Sequence, residues 1–215
     1  MDNNYTHIGF ILDRSGSMAS CWDDVVGGYE TFVKEQKDED GKCTFSLTAF
    51  DTKIVTPLDF ADIKVVTESL DELDINPRGM TALYDAVGRT VNEIGKKLRN
   101  MPESDRPGKV LIVVQTDGLN NASEEFTAGM IKEMVQKQTD KYNWKFMFVG
   151  ADEASVLDAQ NNLGFSVDLS SSYKTANTKD FFTTMSNKTK TLRAAADASA
   201  VDLSYSTEER ALLNK

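Results

Sequence analysis

Residues 109–115 constrain the fold of this chain most strongly, because they form an almost continuous apolar run that leads directly into a polar loop. A short run of this kind is typical of a β-strand that is covered on both faces. Such strands occur in mostly parallel sheets with helices on both sides. We therefore expect residues 109–115 to form a central strand of a parallel sheet.

Strand-like and helix-like segments alternate along the rest of the sequence. Short runs rich in apolar residues predict strands at residues 6–12, 44–49, 54–58, 144–149 and 165–169. Helical spacing predicts helices at residues 22–39, 60–73, 126–138, 154–163 and 178–198. Residues 80–85 open another helix, which has Leu83 on its apolar face and ends before Pro102. This order predicts an α/β fold with a doubly wound, mostly parallel, Rossmann-like sheet, one antiparallel edge strand (54–58) and helices on both faces.

The chain has 215 residues, which is enough for one domain with a sizeable core. No internal repeat or low-complexity linker divides it. We assign residues 1–199 to the main domain and residues 200–215 to a C-terminal tail. Ser206 and Glu209 have the spacing of a capping box, which predicts one short helix in that tail.

The charge balance argues against a nucleic-acid partner. Lys and Arg number 24 against 34 Asp and Glu, so the net charge is −10 and no basic stripe is present. No apolar run approaches the length of a membrane span, and the first residues do not resemble a secretion signal. We expect a soluble, cytoplasmic protein with no membrane or nucleic-acid partner.

The cysteines and the histidine predict no zinc site. Cys21 and Cys43 lie at opposite ends of a predicted helix, which would hold them too far apart for a disulfide. Neither has the spacing of a metal-binding pair, and His7 is the only histidine. We expect structural roles for all three residues.

The first predicted strand runs into a loop that is rich in oxygen ligands. Asp13, Ser15 and Ser17 stand at alternate positions, and Gly16 lets the backbone curl between them. Three such side chains can turn toward one point, where hard oxygen ligands favour magnesium, manganese or calcium over zinc. The same composition also suits an ordinary solvated turn, so this loop alone leaves both interpretations open.

The predicted topology brings two more segments to this loop. In a doubly wound sheet, a crevice forms at the carboxyl ends of the strands where the chain reverses direction. Asp117 follows the strand at 109–115, and the segment before the Leu83 helix brings Thr81 to the same edge. Two carboxylates would nearly neutralise a divalent ion, while Ser15, Ser17 and Thr81 would supply neutral oxygens. A site of this size should leave one position of the ion open to an outside carboxylate. We predict a Mg²⁺ site, with Mn²⁺ or Ca²⁺ as alternatives.

These residues resemble the metal-ion-dependent adhesion site of von Willebrand factor type A (VWA) domains. Asp13-x-Ser15-x-Ser17, Thr81 within Gly79–Leu83, and Thr116-Asp117-Gly118 match the three parts of that motif in the family's order, and the likeness in layout spans residues 6–198. The resemblance implies that Ser15, Ser17 and Thr81 or Asp117 contact the metal directly or through water, and that Asp13 often acts through water.

The resemblance also implies a kind of function. VWA domains mostly bind protein partners whose Asp or Glu completes the metal shell. Small intracellular members, including stand-alone ones in bacteria and phages, commonly act as assembly or adaptor modules, some of them with ATPases. We therefore expect a non-catalytic adaptor domain that captures an acidic side chain of a partner protein, for which an ATPase is one candidate.

Two alternatives remain beside this interpretation. A magnesium-dependent phosphohydrolase would use Asp13 as its nucleophile, but the dehalogenase-like pattern needs a second Asp where Ser15 stands. A purely structural interpretation makes Asp13 and Asp117 helix caps, which explains each loop separately but not their common edge.

Several neighbouring residues have two interpretations each. Arg14 and Met18 either contact a partner around the metal or are simply exposed to solvent. Asn120 and Asn121 either brace the Asp117 loop or are ordinary loop residues. Asp152 and Glu153 follow a strand end and either neighbour the site or simply suit a helix N-terminus. Asp51 lies at the hairpin turn on the same edge, where its turn propensity is a sufficient explanation.

Overall fold

The computed structural model describes all 215 residues and contains one six-stranded sheet. The strands are β1 (Asp2–Asp13), β2 (Lys42–Phe50), β3 (Ile54–Asp62), β4 (Pro107–Thr116), β5 (Lys145–Gly150) and β6 (Ser170–Ser172). Their order across the sheet is β3-β2-β1-β4-β5-β6. Only β3 is antiparallel to its neighbour. The predicted fold class, the antiparallel edge and the central position of β4 are confirmed.

Helices cover both faces of the sheet. They are α1 (Trp22–Asp38), α2 (Leu83–Asn100), α3 (Ala128–Tyr142), α4 (Glu153–Asn162), α5 (Thr178–Ala194) and α6 (Thr207–Leu213). One apolar core joins α1, α5 and α6 to the sheet, and a second core joins α2, α3 and α4 to its other face. Strand β1 contributes to both, because Ile8, Phe10 and Leu12 enter the first core and Ile11 enters the second. None of the helices combines the length and the apolar character that crossing a membrane requires.

Glycine allows a close approach of α1 and α5. A Cβ atom at Gly28 would lie 2.0 Å from Cδ2 of Phe182, whereas one at Gly27 would meet no atom within 4 Å. Gly28 therefore makes room for an aromatic ring between the two helices.

Two buried cations anchor the carboxyl end of α5. The guanidinium of Arg193 donates hydrogen bonds to the carbonyl oxygens of Gln36, Glu39 and Asp40, where α1 ends. The Lys109 ammonium donates to the carbonyl oxygens of Arg193 and Ala195 at 2.7 Å each. These bonds satisfy carbonyl groups that a helix end leaves without intrahelical partners.

The structure differs from the sequence prediction in three segments. Residues 60–73 are not a helix: β3 continues to Asp62, and only two short 3-10 turns follow, at Ile63–Val65 and Asp71–Leu73. The last strand is Ser170–Ser172, not residues 165–169. The last long helix ends at Ala194, because the backbone is extended at Ala195, and residues 198–200 form a separate 3-10 turn.

The end of the chain packs against the rest of the fold. Ser206 and Glu209 form the predicted capping box at the start of α6. Leu203, Tyr205 and Leu213 are buried in the core that contains α1 and α5. Residues 200–215 therefore contribute apolar contacts as well as a helix.

Candidate metal site

The candidate site lies where β1 and β4 end side by side. Asp13 is the last residue of β1, and Thr116 is the last residue of β4. These parallel strands are paired up to Leu12 and Gln115. The two following loops therefore leave the sheet next to each other, at the point where the order of strands reverses.

Asp13 is completely buried, and both of its carboxylate oxygens accept hydrogen bonds. Oδ1 accepts the backbone N–H of Ser15 at 2.7 Å, and Oδ2 accepts the hydroxyl of Thr116 at 2.5 Å. The first bond closes the turn between β1 and the serines. The second bond ties that turn to the end of β4.

Three further side chains meet beside Asp13. The hydroxyl of Ser17 donates to Oδ1 of Asp117 at 2.8 Å and lies 3.1 Å from the hydroxyl of Ser15. The Ser15 hydroxyl is 3.5 Å from the same Asp117 oxygen. Because Ser17 is exposed while Ser15 is buried, this group of oxygens opens to solvent on one side.

Thr81 is held against the same loops by backbone hydrogen bonds. Its N–H donates to Oδ1 of Asn121 at 2.8 Å, and its carbonyl accepts the N–H of Asn121 at 3.0 Å. On the other side, the N–H of Gly16 donates to the carbonyl of Gly79. The segment before α2 therefore lies between the two acidic loops.

Asp51, in the β2–β3 turn, holds this segment from a third direction. Its Oδ2 lies 3.1 Å from Nε of Arg14 and 3.0 Å from Nε of Arg78. Its carbonyl accepts the N–H of Ala82, and the neighbouring Thr52 hydroxyl accepts the N–H of Met80. The hairpin turn thus links the segment that carries Thr81 to the segment that carries Asp13.

The surroundings of Asp13 and Asp117 disfavour the charged form of both side chains. Burial raises the pKa of Asp13 to about 6, against the lowering effect of its hydrogen bonds, and Asp117 raises it further. Burial also raises the pKa of Asp117. Neither carboxylate forms an ion pair with Lys, Arg or His. Buried anionic groups without a cation are costly, so this site is suited to a bound positive ion.

The ligand set fits a hard cation. No three His, Cys, Asp or Glu side chains are grouped so that they could hold a metal ion, so an ion here would be held by two carboxylates together with hydroxyls. Oxygen ligands of this kind suit Mg²⁺, Mn²⁺ or Ca²⁺.

Arg14 and Met18 are placed differently from the prediction. Their side chains are neither exposed nor available to a partner, because both residues are buried. Arg14 faces Asp51, and Met18 belongs to the core that contains α1. Both interpretations offered for these two residues are wrong, since each required exposure.

The remaining neighbours have structural roles. Asn121 links the loop after Asp117 to Thr81, and Asn120 accepts hydrogen bonds from Tyr84 N–H and the Ser123 hydroxyl. Asp152 caps α4 by accepting the N–H of Ser155.

Two residues, Thr116 and Asp85, have structural roles that the sequence did not predict. Thr116 connects the strand end to Asp13, and its position as the last residue of a strand before an acidic loop was the available signal. Asp85 is buried in α2 and accepts the backbone N–H groups of Glu124, Glu125 and Phe126. Its partners are about 40 residues away, and no local pattern indicates them.

Sequence comparison gives no match, whereas structural comparison gives many. No family model matches the sequence, and the comparison with curated proteins gives no match. Solved structures that resemble it include a von Willebrand factor type A protein from Catenulispora acidiphila, with a TM-score of 0.59 and 14% identity over 87% of this chain and 43% of that chain. A mutant of the PilB minor pilin from Streptococcus sanguinis gives a TM-score of 0.61 at 12% identity, over 86% of this chain and 61% of that chain.

A third similar structure is proximal thread matrix protein 1 from the mussel byssus, with zinc in its metal-ion-dependent adhesion site. The TM-score is 0.59 at 13% identity, over 86% of this chain and 46% of that chain. This chain therefore spans less than two thirds of each of these structures. The likeness shows the fold, which is the VWA type of Rossmann-like α/β sheet.

Proposed function

We propose that this chain is a divalent-metal-dependent protein-binding domain that acts as an adaptor or assembly module and not as an enzyme. The ion, preferably Mg²⁺ with Mn²⁺ or Ca²⁺ as alternatives, would be held by Asp13, Ser15, Ser17, Thr81 and Asp117. Its partner would supply an Asp or Glu side chain. An ATPase is one candidate partner.

The observation that carries this proposal is the pair of carboxylates, Asp13 buried and Asp117 partly buried, without a basic neighbour. Asp13 and Asp117 both have raised pKa values, and a divalent cation would offset the charge that burial makes costly. Because both oxygens of Asp13 already accept hydrogen bonds, Asp13 would orient the serine loop. The hydroxyls of Ser15 and Ser17 and the carboxylate of Asp117 would face the ion.

The surroundings of the site suit a protein partner. Met80 and Leu119 are large apolar side chains that are 54% and 47% exposed. Met80 stands next to Thr81 in the sequence and Leu119 two residues after Asp117, so we expect both side chains near the site. An apolar border around a charged anchor resembles the centre of a protein–protein interface.

Calorimetric titration of the metal-free protein with MgCl₂ tests the metal site. We expect saturable binding in the unaltered chain and none in Asp13→Ala or Asp117→Ala. Asp140→Ala is the matched control, because Asp140 is an exposed acid near the end of α3. Unchanged binding in both site variants would refute the assignment.

Partner capture needs its own experiment. Immobilised protein is exposed to lysate of the source cells in Mg²⁺, in chelator, and as the Asp117→Ala variant. We expect a protein that is retained only by the unaltered chain in Mg²⁺. A set of retained proteins that is identical in all three conditions would refute metal-dependent capture.

The phosphohydrolase alternative is weakened by the geometry of Asp13. A nucleophilic carboxylate needs a free oxygen that faces the substrate, whereas Asp13 is buried and both its oxygens are hydrogen-bonded. A phosphatase screen with Mg²⁺ checks this point. Turnover that is abolished by Asp13→Asn would reverse our choice.

We also propose a cytoplasmic location. Cys21 and Cys43 are both free and buried, which suits a reducing compartment. Fractionation of the source cells with an antibody to the chain provides the test, and recovery outside the cytoplasmic fraction would contradict it.

A further inference from the structure

A cavity of about 400 Å³ opens at the end of the sheet opposite the candidate metal site. It lies between the carboxyl-terminal halves of α2 and α3, above the first residues of β4 and beside Trp144. Residues 111–116 of β4 lie between Val110 in its lining and Asp117, a distance of about 20 Å along an extended strand. It is therefore a separate site.

The charge of this cavity is opposite to that of the whole chain. Its lining contains four cations and one acid, Glu93, although acids outnumber bases in the sequence by 34 to 24. The cations are Lys96, Arg99, Arg106 and Lys137. Such a cluster in an acidic protein creates a local positive potential that favours an anionic ligand.

None of these four cations is neutralised within the chain. They take part in no ion pair, whereas Arg89 and Lys97 on the same helix α2 are paired with Glu125 and Asp59. Arg106 is fixed by hydrogen bonds from its guanidinium to the carbonyl oxygens of Met101 and Arg99. Those partners are neutral, so its charge remains available to a ligand.

The floor of the cavity is apolar and partly aromatic. Val91, Leu98, Val110 and Trp144 are buried beneath it, and half-exposed Tyr142 forms one side. Aromatic side chains offer flat surfaces against which a planar ring can stack. The volume is within the range of pockets that hold small ligands.

We propose that this cavity binds a small phosphate ester that carries a planar ring, the chemistry of a nucleoside monophosphate. The arginine and lysine side chains would bind the phosphate. A guanidinium group can donate two parallel hydrogen bonds to phosphate oxygens, and a lysine ammonium adds a positive charge. Trp144 and Tyr142 would contact the ring. This site needs no metal and does not depend on the proposed function.

Nuclear magnetic resonance provides a direct test, because the chain has only two tryptophans. The indole N–H signals of Trp22 and Trp144 are followed while adenosine monophosphate is added to the full chain in the presence of chelator. We expect a saturable shift of the Trp144 signal, with a dissociation constant below about 1 mM, and no shift of the Trp22 signal. Inorganic phosphate and adenosine alone should each bind at least about tenfold more weakly.

Matched variants assign the binding to this cavity. Arg99→Gln combined with Lys137→Gln should weaken binding by about tenfold or more, because charge-assisted hydrogen bonds to phosphate are lost. Lys97→Gln removes one cation from the same turn of α2 but outside the cavity, and it should leave the affinity unchanged. All three altered side chains are at least partly exposed, so the variants should fold.

Three results would overturn the proposal. The first is no shift of the Trp144 signal up to about 10 mM nucleotide. The second is unchanged affinity in the double variant. The third is that inorganic phosphate binds as tightly as the nucleotide, which would show that the ring contributes nothing to binding.

Discussion

The hydroxyl of Ser17 donates a hydrogen bond of 2.8 Å to Oδ1 of Asp117, across 100 residues of sequence. This contact joins the loop after β1 to the loop after β4 on the open side of the candidate metal site. It shows that the serine loop and the acidic loop are adjacent before any ion or partner is considered.

Removal of this hydroxyl should weaken metal binding. We expect Ser17→Ala to lower the affinity for Mg²⁺ by about tenfold or more, the usual effect of losing a group that contacts or orients a metal ligand. Ser17→Thr keeps the hydroxyl and should retain most of the affinity. Calorimetry measures both, with Ser104→Ala as an exposed control. Equal affinities for Ser17→Ala and the control would contradict the role of Ser17.

The Asp51 contacts predict a large difference between two substitutions. Asp51→Ala leaves Arg14 buried and without its acidic partner, which should lower the free energy of unfolding by about 3–5 kcal/mol. Arg78→Ala removes a side chain that is 59% exposed, and it should cost at most about 1 kcal/mol.

Denaturant unfolding of the Asp51 and Arg78 variants measures these free energies. Metal titration then shows whether the segment that carries Thr81 has been released. Similar losses of stability in the two variants would show that the buried Arg14–Asp51 pair is not important.

Substitution of alanine for each of the two adjacent glycines of α1 should change the stability of the fold in opposite directions. Gly28→Ala would force Phe182 away and should destabilise the fold by about 1–3 kcal/mol, since the new methyl group has no space. Gly27→Ala adds a methyl group in open space and should stabilise the helix by about 0.5–1 kcal/mol. Thermal unfolding of the two variants checks the signs. A stabilising Gly28→Ala would contradict the tight contact between α1 and α5.

His7 should make the fold sensitive to acid. Its ring is completely buried, stacks on Phe60 at 3.8 Å and bonds Thr44 through Nδ1. Burial lowers the pKa of His7 to about 3, so the unfolded chain binds a proton between pH 6.5 and pH 3 that the folded chain does not. Stability should therefore fall as the pH drops through this window, by up to about 1.4 kcal/mol per pH unit.

The contribution of His7 is measured by comparison with His7→Asn. Unfolding free energies at pH 7, 6 and 5 avoid most carboxylate titration in the unfolded chain. The variant should show a smaller slope, whatever its overall stability. Equal slopes would assign the acid sensitivity to other groups.

Local patterns in the sequence were sufficient to predict most of the sheet and the meeting of its polar loops. The apolar run at 109–115 indicated the central strand, and the alternation of strands and helices indicated the parallel order. Because parallel strands end at one edge, Asp13 and Asp117 had to approach each other once β1 and β4 were neighbours.

The features that the sequence did not predict depend on contacts between residues that are far apart in the chain. Arg14 has the charge of an exposed residue, and it is buried because Asp51, 37 positions later, faces it. Phe60 has the spacing of a helical residue, yet it extends β3 and stacks on His7. Ser170–Ser172 has no apolar alternation and is a strand only because its backbone pairs with β5.

The anchoring of α5 limits how this fold can move. Arg193 and Lys109 hold its carboxyl end, and the carbonyl partners of Arg193 all belong to residues 36–41, where α1 ends. A piston-like slide of α5 along its axis would break all of these bonds together. A pivot about that end would leave these bonds intact but would move Phe182 out of the space that Gly28 leaves for it near the amino end. The helix is therefore held at both ends, by hydrogen bonds at one and by aromatic packing at the other.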